Sequence, residues 1–202
     1  MTNPYEWFDK RAKDWNQTPG KIELCTRFVA EVRKQANITP ESRILDFGCG
    51  TGLNGIYLIN DAKTIGFLDP SSGMIEQVKK ELAEINKSNV EIYNQEITQT
   101  TMEPYDFVVS SMAFHHAEDL NGTISAIAER MKVGGKCFIC DLHKEDGSFH
   151  AGFCTVPHNG FDIEELKQTF LKNGFSKAEH IDFGTYLHKE REYPLFVLTA
   201  TK

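Results

Sequence analysis

Residues 44–55 read Ile44-Leu45-Asp46-Phe47-Gly48-Cys49-Gly50-Thr51-Gly52-Leu53-Asn54-Gly55, an apolar run that closes on an acid and passes through three glycines into a helical pattern. The run predicts a buried strand, and the glycines at 48, 50 and 52 predict a loop whose backbone takes positive φ and comes close to a ligand. The helix that follows offers unpaired N–H groups at its start, so the segment is suited to a nucleotide-like cofactor.

Spacing narrows the cofactor. A dinucleotide-binding loop places its third glycine three residues after the second. Leu53 holds that position here, and Gly52 arrives one residue early. Asp46 stands just before the loop, where a carboxylate repels pyrophosphate and attracts a cation. The common nucleotide-like cofactor with an ammonium in place of phosphates is S-adenosylmethionine. The segment, with Asp46, Gly48, Cys49, Gly50 and Gly52, resembles the first motif of the class I S-adenosylmethionine-dependent methyltransferases. Later segments resemble that family in the same order: Asp69, then residues 105–116, then Met131-Lys132-Val133-Gly134-Gly135-Lys136, where Val133 replaces the family's usual proline. The resemblance runs from about residue 8 to residue 202 and is nearest to the quinone-biosynthesis-like small-molecule subgroup.

The composition fits that reading. A chain of 202 residues, 40% hydrophobic and 25% charged, is long enough for one domain with one substantial core. A formal charge of −7 and a pI near 5.5 give no basic footprint for nucleic acid or an anionic membrane. The start lacks the apolar run of a secretory signal, and no stretch reaches the roughly 20 apolar residues of a spanning helix. The expectation is a cytoplasmic protein with a small-molecule acceptor as partner, no nucleic acid and no membrane insertion; the oligomeric state is not set by the sequence. Cys25, Cys49, Cys137, Cys140 and Cys154 read as reduced thiols, and Cys137 and Cys140, three apart on one strand, face opposite sides of a sheet as core residues.

Strand and helix alternate from Arg43 onward, which predicts a mostly parallel sheet covered on both faces. Strands are expected at 43–47, 64–68, 90–94, 105–110 and 136–141. Met74, Val78, Leu82 and Ile85 form one helical stripe, and Ile124, Ile127, Ala128 and Met131 another. A third helix starts at Asp162, with Glu165 completing a capping box, and stops at Asn173-Gly174. Residues 176–183 and 193–201 then read as an antiparallel hairpin joined by a polar loop. With the resemblance, this implies a Rossmann-like three-layer α/β sandwich with a seven-stranded sheet, residues 43–202, preceded by a helical lid or cap segment, residues 1–42, in a single domain. Near the start, Tyr5, Trp7, Phe8, Ala12 and Trp15 predict a helix that packs its apolar side on the body; in the family such a segment closes over cofactor and substrate.

An ionised Asp69 at the end of the second strand accepts hydrogen bonds from both ribose hydroxyls, and it lies about 20 residues beyond the loop, as adenosine recognition requires. Pro70 and Met74 supply apolar contacts to adenine, although Met74 also serves the helix stripe. Glu96 resembles the family's acid that meets the adenine amine, with the Ile97 N–H on a ring nitrogen. Residues 105–116 resemble the fourth motif: Ser111 for the methionine amine, and His115 and His116 to orient the acceptor or take its proton. In-line displacement at a sulfonium needs alignment and a water-poor pocket more than side-chain chemistry. His143, His150, Cys154 and His158 are metal-ligand types in a Gly-rich stretch, but their spacing predicts ordinary loop residues or pocket lining and no metal site. Two rival functions remain: a NAD-dependent oxidoreductase and a non-catalytic S-adenosylmethionine-binding regulator.

Overall fold

The computed structural model describes residues 5–152 and 156–202. Strands β1 (Arg43–Phe47), β2 (Thr64–Leu68), β3 (Val90–Tyr93), β4 (Tyr105–Ser111), β5 (Met131–Leu142), β6 (Lys177–His188) and β7 (Arg191–Thr201) form one sheet in the order β3-β2-β1-β4-β5-β7-β6. The first five strands run parallel, and β7 lies antiparallel between β5 and β6. Strand order reverses between β1 and β4, so the connections leave in opposite directions and open a crevice at the carboxyl ends of these strands.

Helices α1 (Glu6–Arg11), α2 (Lys21–Gln35), α3 (Leu53–Leu58), α4 (Ser72–Ile85), α5 (Leu120–Glu129) and α6 (Ile163–Lys172) accompany the sheet. The strand period of two sorts the core into two layers. Phe107, Val109 and Cys140 pack with Phe28 and Val32 of α2, Leu58 of α3 and Val78 of α4. Val108 and Cys137 pack with Ile124 and Ile127 of α5 and Leu166 and Phe170 of α6. Cys137 and Cys140 are therefore core residues on opposite faces. The Asp162 carboxylate caps α6 by accepting the N–H groups of Glu164 and Glu165 at 3.0 and 3.1 Å.

Three elements differ from the sequence expectation. Met131 leaves the helix stripe: α5 ends at Glu129, and Met131 opens β5 opposite Tyr105 before an irregular step to the Phe107–Lys136 pair. The side chain is buried either way, which is why periodicity could not separate the two. The hairpin is longer than its apolar residues suggest, because β6 and β7 extend through the polar stretch to a two-residue turn at Lys189 and Glu190, with φ of 47° and 64°. The N-terminal segment is not one continuous helix: α1 gives way to a 3-10 stretch, Ala12–Gln17, that carries Trp15. No helix among the described residues is long and apolar enough to cross a membrane.

Candidate active site

A cavity of about 830 Å³ lies at the crevice, and its walls follow the strand order. Glu96 comes after β3, Asp69 after β2, Gly48, Cys49 and Gly50 after β1, Ser111, His115 and His116 from the exit of β4, and His150 from the segment after β5. Pro70 and Met74 also line it.

The loop is held by its neighbours. Gly48 has φ of 61°, and a Cβ there would sit 2.5 Å from the Ala113 Cβ, so only glycine lets the exits of β1 and β4 pass each other. Both oxygens of Asp69 are fixed from behind: Oδ2 accepts the Gly50 N–H at 2.8 Å and Oδ1 the Ser71 N–H at 2.9 Å. Each retains a lone pair, the arrangement a vicinal diol requires. Burial raises this carboxyl to about 6 despite those two bonds.

Three residues expected at the cofactor do not reach the cavity. Asp46 is fully buried behind the loop; its carboxylate accepts the Gly55 N–H at 2.9 Å and the Asn54 side-chain amide at 3.5 Å. Burial raises it to about 7, and no part of it lines the cavity. Of the two acids at the ends of β1 and β2, the one that faces the cavity is Asp69. Gly52 is set by packing, since with φ of 86° a Cβ there would come within 3.1 Å of Phe67 and Val78. Ile97 is 1% exposed and belongs to the α5 and α6 layer.

The N-terminal segment is pinned across the loop. Asp9 Oδ1 accepts the Ser71 hydroxyl at 2.6 Å and the Gly73 N–H at 2.8 Å, and the Thr51 hydroxyl donates to Asn16 Oδ1 at 2.6 Å. The Tyr5 hydroxyl donates to Glu96. Trp7, Phe8 and Trp15 meet edge to face at 5.0 to 6.0 Å, and Phe8 meets His116 at 5.1 Å. Trp15 also stacks under the Lys21 ammonium, 3.3 Å from the ring centre. Burial lowers that lysine to about 7.

At the end of β4 the chain turns through Met112, a non-glycine residue with φ of 55°, strain of the kind concentrated at functional sites. The turn carries His115 and His116. His115 is 1% exposed, with Nδ1 2.6 Å from Oδ1 of the buried Asp141. That contact assigns the proton to Nδ1 and leaves Nε2 as the lone pair. His150 joins them, its ring 4.8 Å from His115 and 5.3 Å from His116. Burial first, then the neighbouring imidazoles, lowers His116 to about 2 and His150 to about 4. His143 instead pairs with Asp182 at 3.2 Å, and His158 Nε2 donates to the Ala117 carbonyl at 3.0 Å. Cys154 lies outside the described residues.

Sequence reasoning missed Asp141, Lys21, Phe149, Tyr186 and His188. Asp141 had a signal, because it stands at the carboxyl end of a parallel strand as Asp46 and Asp69 do. Lys21, Phe149, Tyr186 and His188 all line the cavity; Tyr186 and His188 reach it from β6, which only the hairpin register determines.

The family model for a methyltransferase domain matches residues 45–137. An uncharacterized methyltransferase of Anoxybacillus flavithermus is 30% identical over 156 residues, 74% of this chain and 69% of that protein. One of Schizosaccharomyces pombe is 30% identical over 155 residues, 68% of this chain and 55% of that protein. The chain thus spans little more than half the length of the second relative. A solved complex between the Haloferax volcanii Trm112 methyltransferase activator and a methyltransferase shares the fold, with a TM-score of 0.80, 15% identity and 96% of each chain covered. Sequence, fold and cavity agree: the chain belongs to the class I S-adenosylmethionine-dependent methyltransferases.

Proposed function

We propose that this chain binds S-adenosylmethionine along the carboxyl ends of β1 to β3 and methylates a small organic acceptor held against the exits of β4 and β5. The observation that carries the reading is Asp69, locked by the Gly50 and Ser71 N–H groups on the wall of the cavity that also contains the paired histidines. In this reading Asp69 takes the ribose hydroxyls, Glu96 the adenine amine, Pro70 and Met74 the faces of the base, and Ser111 the methionine amine. S-adenosylmethionine supplies the methyl group and a good leaving group. Residues 5–17 act as the cover: Tyr5, Phe8 and Trp15 exclude water from the site.

The two histidines do different work. A group that titrates near 2 is a poor general base at neutral pH, so His116 orients the acceptor through a neutral ring. His115 is the histidine placed to take the acceptor's proton, because Asp141 holds its Nδ1–H and orients the ring as a carboxylate orients a catalytic imidazole. The quinone-biosynthesis-like resemblance does not name an acceptor, and family membership favours neither rival function.

The test is S-adenosylhomocysteine release from pooled metabolites, with calorimetry of cofactor binding. Asp69→Ala is expected to weaken S-adenosylmethionine binding by about 5- to 150-fold, the loss of roughly 1–3 kcal/mol of hydrogen bonding. Unchanged affinity, or tight NADH binding by the native chain, would overturn the assignment.

A further inference from the structure

We propose that His115, His116 and His150 form a divalent-metal site, best suited to zinc, on the acceptor wall of the cavity. One ring nitrogen from each lies within 4.8 Å of the other two. Three imidazoles that share one wall, two from the exit of β4 and one from the segment after β5, are the donor set of a three-histidine zinc site with an open fourth position.

Two further observations point to an ion. His115 Nδ1 is bonded to the buried Asp141, so Nε2 carries the lone pair and its ring is held in place, the carboxylate–histidine arrangement that supports metal ligands. His150 Nδ1 is buried with no hydrogen-bond partner among the described residues, a cost that coordination by either nitrogen with reorientation of the ring would relieve. The groups facing the cluster also matter. Lys21 and the His188 ring also line the cavity beside the cluster, and the buried Asp141 is the anion in direct contact with one of its rings. Tetrahedral zinc with Zn–N of 2.0–2.1 Å needs nitrogens about 3.3 Å apart. The rings therefore close inward on binding: His115, anchored by Asp141, sets the centre, and the half-buried His116 and His150 rotate toward it.

The site deepens the methyl-transfer reading and rests on it only for its chemistry. A metal at this position takes the His115 lone pair and does the work assigned to it otherwise, by lowering the pKa of a bound acceptor hydroxyl or thiol. The acceptor proton leaves to water. The methyl group then bonds to the acceptor's lone pair as its bond to sulfur breaks, and that electron pair stays on sulfur as a neutral thioether.

The experiment strips the full chain with EDTA and titrates it with Zn²⁺ by calorimetry and with Co²⁺ by visible absorption. One ion per chain is expected, with the ligand-field bands of tetrahedral cobalt. His150→Ala should weaken zinc at least 100-fold, and Asp141→Asn by about 10- to 100-fold. His158→Ala should leave zinc binding unchanged. His150 is half-buried at the cavity, so His150→Ala folds as the native chain does, checked by an unchanged melt, and stays informative if Asp141→Asn unfolds. No stoichiometric zinc in the native chain, or zinc binding indifferent to His150→Ala, would overturn the site. A chain that binds zinc through these residues but never binds S-adenosylmethionine would sustain the metal site and overturn the methyl-transfer reading.

Discussion

Asp46→Asn separates a buried neutral acid from an anion. Burial raises the Asp46 carboxyl from an ordinary 3.8 to about 7 in the folded chain. Below pH 4 the group is protonated folded or unfolded and favours neither state. As pH rises from about 4 to about 7 the unfolded chain gives up this proton while the folded one keeps it, so stability falls by about 1.4 kcal/mol per pH unit. Above pH 7 the full cost of the ionised form is present, roughly 4 kcal/mol for a shift of about three units. The carboxamide is neutral throughout. It keeps an acceptor for the Gly55 N–H, and its amide group replaces the oxygen that faces the Asn54 Nδ2, so the Asn54 amide turns over to present its Oδ1, which is buried with no hydrogen-bond partner among the described residues. Asp69 titrates in both chains, and its charge is one of the smaller causes that raise Asp46, so the comparison reads Asp46 together with that coupling. Urea unfolding of the two chains at pH 5, 6, 7 and 8 should show the substituted chain gaining on the native one by about 1 kcal/mol per step up to pH 7 and levelling off by pH 8. A difference that stays flat with pH would mean Asp46 is ionised at its ordinary value, and the account of burial behind the loop would fail.

Gly48→Ala forces a left-handed φ on a residue with a Cβ and drives that carbon into Ala113; a stability loss of about 1–3 kcal/mol in thermal or urea unfolding is expected, and an unchanged melt would refute the close approach. Trp15→Ala should raise the Kd for S-adenosylmethionine about tenfold, the worth of a half-buried aromatic, with the melt little changed. Unaltered affinity in calorimetry would remove residues 5–17 from the role of cover.

The parallel core was legible because its strands are short apolar runs ended by glycines and acids, and residues 43–47 and 64–68 form the strands read from them. The hairpin was legible in kind but not in length. Its outer half is polar, and strand character there comes from pairing between β6 and β7 rather than from burial. Met131 failed for a related reason: an apolar residue at a helix–strand junction satisfies either period. At the site, Asp69, Glu96, Ser111 and the paired histidines were placed on the cavity wall as strand topology requires, while Asp46 was misjudged because sequence gives an acid's position along a strand but not the side its carboxylate takes.

By itself the sequence determined the alternation of strands and helices, the glycine loop and the family, since these depend on local patterns of apolar and small residues along the chain. Only the tertiary structure decided that Asp46 is turned away from the cavity, that Asp141 stands behind His115, and that His150 joins a pair remote from it in sequence. Those relations are set by sheet order and by burial, and burial decides whether a carboxyl or an imidazole carries charge at all.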